Sequence, residues 1–337
     1  VSIPNKMGFD EFYGYNCQRQ SHSFYPDHLW HNEEKVLFPE NENNACKTYS
    51  QDLIHEQALK FIRDHKEQPF FAMLTYTLPH AELNLPHDSI YKMYENSFEE
   101  TPYIGKFDKV YGGYNTSEKP LASFAAMVSR LDKYVGDVMA ELKELGLDKN
   151  TIVIFTSDNG PWLTEHENGG SAGPLKDGKG TWWEGGFRVP AICWMPGKIN
   201  PAINDEIMTS MDLYPTFLSM AGIEQPKDLV LDGVNQTGLL FEEKHSARDE
   251  VYYWWGSELM AIRKGEWKYY FKTIKDQYLR TCKIETPAEP LLYNVETDIS
   301  ERFNQAEKHP EIVKLLIEAG EKHKKGMKIK PSVCDMM

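Results

Sequence analysis

The sequence predicts an α/β domain with a mostly parallel sheet sandwiched by helices, followed by a small antiparallel subdomain of strands and one helix. Three observations support this fold class. Residues 151–156, TIVIFT, form a β-branched and aromatic run without polar alternation, as in a parallel strand buried on both faces. Residues 120–146 show a long helical periodicity, and the chain after residue 250 contains short strand patterns separated by turns.

The elements of the main domain can be predicted in order. Residues 50–66 are expected to form a helix with Ser50 as its N-cap. Residues 70–76, FFAMLTY, are predicted to form a second buried strand. In residues 120–146 the apolar positions step by three and four, which predicts an amphipathic helix that ends at a glycine. This helix leads into the strand at 151–156 and completes a passage of the βαβ type.

The elements and the domain bounds of the carboxyl-terminal part can also be predicted. Asp212 is expected to cap a helix that ends at Gly222. We predict a main domain at 1–238, a second domain at 239–325 and a tail at 326–337. The second domain is expected to contain four short antiparallel strands and one helix, at residues 251–255, 259–263, 267–271, 291–295 and 310–325.

Charge and composition narrow the classes of partner. The formal net charge of −14 argues against nucleic acid, whose phosphates would be repelled. An anionic substrate would therefore need a local basic pocket. No apolar run approaches the roughly 20 residues that cross a bilayer. The five cysteines include no C-x-x-C pair, and their odd number excludes complete internal pairing, so the redox compartment stays open.

A polar tetrapeptide, SDNG at residues 157–160, ends the strand at 151–156. In open α/β sheets, ligands bind where strands stop at their carboxyl ends, so Asp158 and Asn159 are expected to face such a crevice. Carboxylate and amide oxygens are hard ligands that suit Ca²⁺ or Mg²⁺ rather than zinc. Because Asn-Gly is also a common turn dipeptide, a plain turn is the alternative.

A second segment, KGTWWEGGFRVP at residues 179–190, strengthens this interpretation. It carries Lys179, a Gly-Gly pair that permits close backbone approach, and Arg188 before another predicted strand. Together the two segments resemble the second half of the formylglycine-dependent sulfatases, in the group of arylsulfatase A and N-acetylgalactosamine-6-sulfatase. The resemblance covers nearly the whole chain, from GFDEFYGY at 8–15 to LYNV at 292–295.

The resemblance implies the fold of the alkaline phosphatase superfamily and a set of site residues. Asp158 and Asn159 match metal ligands, with Ca²⁺ expected and Mg²⁺ as the alternative. Lys179 matches the lysine that contacts the sulfate, where a fixed ammonium stabilises charge on the departing oxygen. His80 matches an active-site histidine, which can donate a hydrogen bond or protonate a leaving group. By itself, a histidine at this position also fits a residue that caps a loop.

Further residues between and within the two segments receive supporting roles. Arg188 is expected to pair with Glu184 and to brace the Gly-Gly turn. Glu165 and His166 are candidates for reading the substrate beyond its sulfate. Trp182 could stack on a sugar face, with buried packing as the alternative.

Histidines and tyrosines elsewhere call for separate interpretations. The spacing of His22, His28 and His31 matches no usual metal pattern, so we predict a solvated loop on the substrate side. Residues 103–115 are rich in glycine and tyrosine and are predicted to form a loop near the rim of the cleft. His87, in LPHD, is expected only to mark the entry of a helix.

The chain departs from the family pattern in what it lacks. The family's aspartate pair on the first strand, its C/S-x-P-x-R nucleophile motif and its Lys-x-His segment are absent. The first strands and the formylglycine are therefore expected in a missing segment, and no residue of this chain is a candidate nucleophile. We expect the 337-residue chain alone to show no sulfatase turnover.

The expected function is hydrolysis of a sulfate ester on a sulfated carbohydrate or an aryl sulfate. Two alternatives stay open: a phosphonate or phosphodiester hydrolase of the same superfamily, and a non-catalytic remnant that binds sugar. Family habit favours export or a lysosome, whereas the sugar, the oligomeric state and the host compartment are not specified by the sequence.

Overall fold

A computed structural model describes residues 3–106, 113–163, 168–275 and 283–329. The structure divides into two compact units. Unit 1 contains residues 1–151 and 165–170, and unit 2 contains residues 152–164 and 171–337. Within the described ranges, no helix combines the length and apolar character needed to cross a membrane.

Unit 1 combines helices with a small antiparallel sheet. Its helices are α1 (Ser50–Asp64), α2 (Ser89–Lys92) and α3 (Pro120–Glu144). Its sheet has the order β1-β2-β3, with β1 at Tyr13–Gly14, β2 at His28–His31 and β3 at Glu34–Leu37. Short 3-10 turns lie at Pro4–Met7, Gln20–His22 and Pro39–Asn44. Two of the three histidines predicted to lie in a loop are therefore on β2.

The two long helices of unit 1 confirm the predicted periodicity. They pack against each other, and Arg130 of α3 donates to Asp52 of α1 at 2.8 Å. Gly146 follows α3 with a φ of 71°, the left-handed conformation expected where a helix ends. The predicted N-cap is wrong, because Ser50 is the first residue of α1 and its hydroxyl donates to the Phe24 carbonyl at 2.8 Å. One face of α3 supplies core residues Ala122, Ala126, Met127 and Tyr134.

Residues 70–76 differ from the predicted strand, since they join no ladder within the described part of the chain. Phe70 packs edge-on against Phe61 of α1, at 5.9 Å between ring centroids. In contrast, Phe71 and Met73 are 59% and 62% exposed. A groove of about 480 Å³ lies along this stretch. An apolar run predicts a strand only where a partner satisfies its backbone, and the described residues provide none.

Unit 2 begins with a two-stranded ladder. β4 (Val153–Thr156) pairs with β5 (Ala191–Trp194), and the pairing is antiparallel with Val153 opposite Trp194. The predicted strand at 151–156 is confirmed as an element, but its parallel partner is not formed, and every ladder among the described residues is antiparallel. A β-branched run specifies a strand without specifying the direction of its neighbour.

The carboxyl-terminal strands form one sheet, as predicted. The sheet has the order β11-β8-β7-β6 and consists of β6 (Glu250–Trp255), β7 (Glu258–Lys264), β8 (Trp267–Tyr270) and β11 (Leu291–Asn294). A separate ladder joins β9 (Thr273–Lys275) to β10 (Lys283–Glu285). Helix α7 (Pro310–Gly326) packs on the sheet, with Val313 and Leu316 in a core shared with Ile262, Tyr269 and Leu292. The domain boundary near residue 238 stays a prediction.

Three short helices complete unit 2: α4 (Glu184–Phe187), α5 (Leu213–Met220) and α6 (Thr237–Phe241). Asp212 does not cap α5 with its side chain as predicted. Its carboxylate instead accepts from the Thr209 backbone at 2.8 Å, in a capping box, and from the Val234 backbone at 2.8 Å. The same carboxylate forms an ion pair with Arg248 at 2.6 Å. Gly222 follows α5 with a φ of 69°, as expected where the helix ends.

Candidate functional site

Two backbone hydrogen bonds join the SDNG loop (residues 157–160) and the residue after it to the EGG segment in unit 2, which we define as residues 176–190 and which contains the motif at 179–190. The Gly160 N–H donates to the Gly186 carbonyl at 3.1 Å. The Lys179 N–H donates to the carbonyl of Pro161, the residue after the loop, at 2.8 Å. These bonds place the predicted metal ligands and the predicted sulfate lysine on neighbouring turns of one unit.

The glycines of these two segments stand where no larger residue fits. A Cβ atom at Gly160 would lie 1.7 Å from the carbonyl oxygen of Gly185. A Cβ at Gly178 would lie 2.2 Å from the Pro161 oxygen, and one at Gly185 would lie 2.1 Å from the Asp177 oxygen. All three neighbours are backbone atoms, which cannot swing away as a side chain can. Gly160 and Gly178 therefore permit the close approach of the two segments, and Gly185 permits close approach within the EGG segment.

The polar side chains on these turns differ in exposure. Asp158 is exposed just after β4, whereas Asn159 and Lys179 are half-buried. The Asn159 amide nitrogen donates to the Gly160 carbonyl at 2.9 Å, which leaves its amide oxygen as the atom that could bind a cation. The SDNG loop thus offers two oxygen atoms that could bind a cation, from Asp158 and Asn159. The Lys179 ammonium lies on the neighbouring turn, whose backbone is hydrogen-bonded to the residue after this loop.

The donor chemistry of Asp158 and Asn159 fits a hard cation, but two residues are a small part of a ligand set. Ca²⁺ takes about six to eight oxygen ligands and Mg²⁺ about six. Among the described residues, no group of three or more His, Cys, Asp or Glu could hold a metal ion. Asp158 and Asn159 can therefore supply only part of such a site.

Glu184, at the start of α4, is held by buried cations. Its carboxylate accepts from Lys268 at 2.7 Å and from Arg263 at 3.2 Å. Burial raises the pKa of Glu184, but the positive charges of Lys268 and Arg263 outweigh it, and the net shift is downward. The expected pairing of Glu184 with Arg188 stays a prediction, and the positive charge of Arg188 also contributes to the lowered pKa of Glu184. Arg188 is exposed and meets Glu184 through its backbone N–H, 2.8 Å from the Glu184 carbonyl oxygen.

A second buried carboxyl, Glu301, joins the same network. It accepts from the Glu184 backbone N–H at 2.8 Å and from the Tyr270 hydroxyl at 2.5 Å, and it lies 3.6 Å from Lys268. Burial raises the pKa of Glu301, although Lys268 opposes that shift. Sequence reasoning missed this network because Arg263, Lys268 and Glu301 lie far along the chain from the motif that contains Glu184.

Three further residues were predicted to contact the substrate: Trp182, Glu165 and His166. Trp182 is 5% exposed, its indole N–H donates to the Trp254 carbonyl at 3.3 Å, and it packs edge-on against Trp255. Buried packing, the alternative interpretation of Trp182, is therefore what the structure has. Glu165 and His166 lie outside the described residues.

His80 lies in unit 1, within a cluster of rings. Its ring centroid is 5.5 Å from that of His22, with a stacked geometry, and 5.7 Å from that of Tyr114. The His22 and Tyr114 centroids are 5.1 Å apart. Sequence reasoning assigned His22 and Tyr114 to separate loops, and no spacing connected either of them with His80. His87 stacks on Tyr91 of α2 at 4.0 Å, in keeping with its predicted place at a helix entry.

Comparison with known families decides the class of this chain. Residues 2–223 match the family described as Sulfatase, and residues 246–337 match the family described as C-terminal region of aryl-sulfatase. The chain belongs to the sulfatase family. This finding confirms the resemblance that rests on the SDNG loop and the EGG segment.

Two related sulfatases show what share of a full-length relative this chain covers. It is 30% identical over 304 residues to an arylsulfatase of Hemicentrotus pulcherrimus, covering 85% of this chain and 49% of that protein. It is 32% identical over 288 residues to the N-acetylgalactosamine-6-sulfatase of Canis lupus familiaris, covering 80% of this chain and 49% of that protein. The chain therefore spans about half the length of these two relatives.

A solved structure with a similar fold supports the predicted fold class. The crystal structure of Ps i-CgsB in complex with k-i-k-neocarrahexaose matches with a TM-score of 0.73 and 26% identity. The match covers 96% of this chain and 68% of that one. The expected sulfatase-type α/β fold with a carboxyl-terminal antiparallel sheet is thereby confirmed.

Proposed function

We propose that this sulfatase hydrolyses a sulfate ester of a sulfated carbohydrate or an aryl sulfate. The observation that carries the proposal is the hydrogen-bonded pair formed by the SDNG loop and the EGG segment, in a chain matched by the sulfatase family over residues 2–223. The relatives named arylsulfatase and N-acetylgalactosamine-6-sulfatase, and the similar structure that holds a neocarrahexaose, favour a sulfated sugar.

Two side chains receive chemical roles in this proposal. The Lys179 ammonium would contact a sulfate oxygen and stabilise negative charge as the ester bond breaks. The His80 imidazole would donate a hydrogen bond or a proton to the leaving oxygen. The role of Lys179 is supported by its place beside the SDNG loop. The role of His80, a residue of unit 1, is proposed from the family alone.

The groups that the family implies would be held in part by this chain. Asp158 and Asn159 would supply two oxygen ligands to Ca²⁺, or to Mg²⁺ as the alternative. When bound, the cation supplies charge neutralisation and formylglycine supplies the nucleophile. The 337-residue sequence contains no C/S-x-P-x-R motif, so we expect no turnover from the chain alone. Release of nitrophenol from 4-nitrophenyl sulfate above the buffer rate would contradict that expectation.

The proposal is tested by binding, which does not require turnover. We expect the purified chain to bind a sulfated hexosamine weakly in the presence of Ca²⁺, as measured by NMR titration. Asp158→Ala should remove the dependence on Ca²⁺. Lys179→Ala should weaken binding about tenfold, as expected for a charged hydrogen bond. The matched controls Asp205→Ala and Lys198→Ala change exposed residues of unit 2 and should leave binding unchanged.

Other outcomes separate the alternatives. Failure to bind either the sulfated hexosamine or phenyl sulfate would overturn the proposed function. Tighter binding of phenylphosphonate than of phenyl sulfate would favour a phosphonate hydrolase of the same superfamily. Equal affinity for the sulfated and the desulfated hexosamine would favour a non-catalytic sugar-binding remnant.

A further inference from the structure

Three polar aromatic rings in unit 1 form what we call the ring cluster: His22, His80 and Tyr114. Every pair of centroids in the cluster lies within 5.7 Å. All three residues are half-buried. Imidazole and phenol groups both donate and accept hydrogen bonds, and their rings offer flat apolar faces. The cluster therefore suits a ligand that is polar at its edges and apolar on its face.

Tyr114 is anchored through the residue that follows it. The Asn115 backbone N–H donates to one carboxylate oxygen of Glu82 at 3.1 Å, and the Asn115 side-chain amide donates to the other at 2.7 Å. Glu82 is 0% exposed. Both oxygens of a buried carboxylate are thus used to hold the neighbour of Tyr114.

Additional contacts close the loop that carries Tyr114. Tyr103 and Ser117 exchange two backbone hydrogen bonds, at 2.9 Å and 3.0 Å. The Gly105 N–H donates to the Thr116 hydroxyl at 3.2 Å. A Cβ atom at Gly105 would lie 2.2 Å from the Tyr114 carbonyl oxygen, so the two sides of the loop touch. The described base of the loop therefore fixes the backbone of Tyr114.

We propose that His22 and Tyr114 contact the alcohol half of the sulfate ester beside His80, and that Glu82 is a positioning residue that holds Tyr114 there through Asn115. This proposal rests on the proposed function, in which His80 meets the leaving oxygen. A sugar ring provides the required chemistry, because its C–H face packs on aromatic rings and its hydroxyls hydrogen-bond to polar atoms. Inorganic sulfate has no alcohol half and should not depend on His22 or Tyr114.

The ionisation of Glu82 provides a way to test whether this residue positions Tyr114. Burial raises the pKa of Glu82 to about 7, although the Asn115 donors oppose the shift. The groups that face it are the Asn115 amide and, after β1, Tyr15, whose own pKa is raised by burial. An ionised Glu82 accepts from both Asn115 donors, whereas a protonated one turns an acceptor into a donor. Its hold on Tyr114 should therefore weaken as the pH falls below about 7.

The first experiment compares two ligands by NMR titration of the purified chain with Ca²⁺ present. Tyr114→Phe should weaken binding of a 6-sulfated hexosamine about fivefold, the loss of one hydrogen bond, and leave inorganic sulfate unchanged. His22→Ala should act in the same direction. Tyr214→Phe, at an exposed tyrosine of α5, is the matched control and should change neither affinity.

The second experiment tests whether Glu82 acts through Tyr114. Glu82→Gln should weaken the sulfated hexosamine but not sulfate, and the double variant with Tyr114→Phe should be no weaker than the weaker of the two single variants. In the wild type, the ratio of the two affinities should rise between pH 6 and pH 8, and Glu82→Gln should abolish the rise. Asn115→Ala removes the same bonds from the other side, and Glu99→Gln at an exposed position is the control.

The outcomes separate this proposal from the function on which it rests. If Tyr114→Phe and His22→Ala leave the hexosamine affinity unchanged while the wild type still binds it, this proposal is overturned and the proposed function stands. Equal losses for sulfate and hexosamine in the Glu82 and Asn115 variants would mean a merely structural role and would also overturn it. If the wild type binds neither ligand, both proposals fail.

Discussion

Lys268 donates to Glu184 at 2.7 Å, and the two side chains are 0% and 2% exposed. This pair connects β8 to the start of α4 and hence the carboxyl-terminal sheet to the EGG segment. The Lys268 ammonium also donates to the Trp182 carbonyl at 2.6 Å. The position of the EGG segment therefore depends on a buried charge that comes from a distant strand.

Replacing this buried cation should destabilise unit 2. We expect Lys268→Met to lower the free energy of unfolding by about 3–5 kcal/mol, because Glu301 would lose the cation beside it and Glu184 would keep only its ion pair with Arg263. Of the eight tryptophans only Trp30 lies outside unit 2, so denaturation followed by tryptophan fluorescence reports this unit.

Two further variants serve as controls for Lys268→Met. Lys227→Met, at a side chain that is 90% exposed, should change the free energy of unfolding by no more than about 0.5 kcal/mol. Adding Glu301→Gln to Lys268→Met should recover part of the loss, since the carboxyl that loses its cation is then neutral. An unchanged free energy of unfolding in Lys268→Met would contradict this buried charge network.

Substitution of Gly160 should force the two segments of the candidate site apart. The added Cβ of Gly160→Ala would meet the Gly185 oxygen at 1.7 Å, and we expect a loss of several kcal/mol, on the order of 3. Gly136→Ala is the matched control, because nothing lies within 4 Å of its Cβ position inside α3. It should stabilise the protein by about 0.5–1 kcal/mol. Thermal unfolding of both variants measures the contrast, and equal melting temperatures would refute it.

The buried carboxyl of Glu82 should make the stability of unit 1 fall as the pH rises. Its folded pKa of about 7 lies above the ordinary value, so between about pH 4.5 and 7 the folded state binds the proton more strongly. Raising the pH through this window should cost the wild type up to about 3 kcal/mol relative to Glu82→Gln, which has no carboxyl to ionise. Denaturation at pH 5 and pH 8, followed by the circular dichroism of the helices, gives this difference. Parallel pH dependences of the two proteins would speak against a buried, perturbed Glu82.

Asp212 should contribute stability with the opposite pH dependence to Glu82, since its contribution is lost as the pH falls. Burial raises the pKa of Asp212, but Arg248 and two backbone donors outweigh it and lower the pKa. Asp212→Asn should therefore cost about 2–4 kcal/mol at neutral pH, since an amide nitrogen would face those donors. The difference from wild type should shrink as the pH falls from the ordinary aspartate value of about 4 through the lowered pKa of folded Asp212, because the wild-type carboxylate becomes protonated over that range. Asp205→Asn, at an exposed site, should show neither effect.

The parts of the fold that sequence predicted well are those with a local cause. The periodicity of residues 120–146 required only that one face of α3 be apolar, and the carboxyl-terminal strands are separated by turns that the sequence marks. Residues 70–76 are different, because a strand depends on a partner that no local pattern describes. The same holds for Asp212, whose charge partner Arg248 lies 36 residues away.

Only those residues of the candidate site that belong to short sequence motifs could be predicted. SDNG and the EGG segment could be recognised, and the structure places them on neighbouring turns. Glu184 was recognised, but its partner Lys268 was not, because Lys268 lies on a strand that is distant in sequence. His22 and Tyr114 are separated by more than 90 residues, so only the fold could show that their rings meet.

The anchor of Tyr114 has a consequence for the choice of expression host. Asn115-Thr116-Ser117 is an acceptor pattern for N-linked glycosylation, and the amide nitrogen that would carry the glycan donates to buried Glu82 at 2.7 Å. A glycan attached there before folding would compete with that contact. Asn235-Gln236-Thr237 has the same pattern, but Asn235 is exposed and a glycan there meets no such obstacle. Production in a host that leaves Asn115 unmodified should therefore preserve this loop.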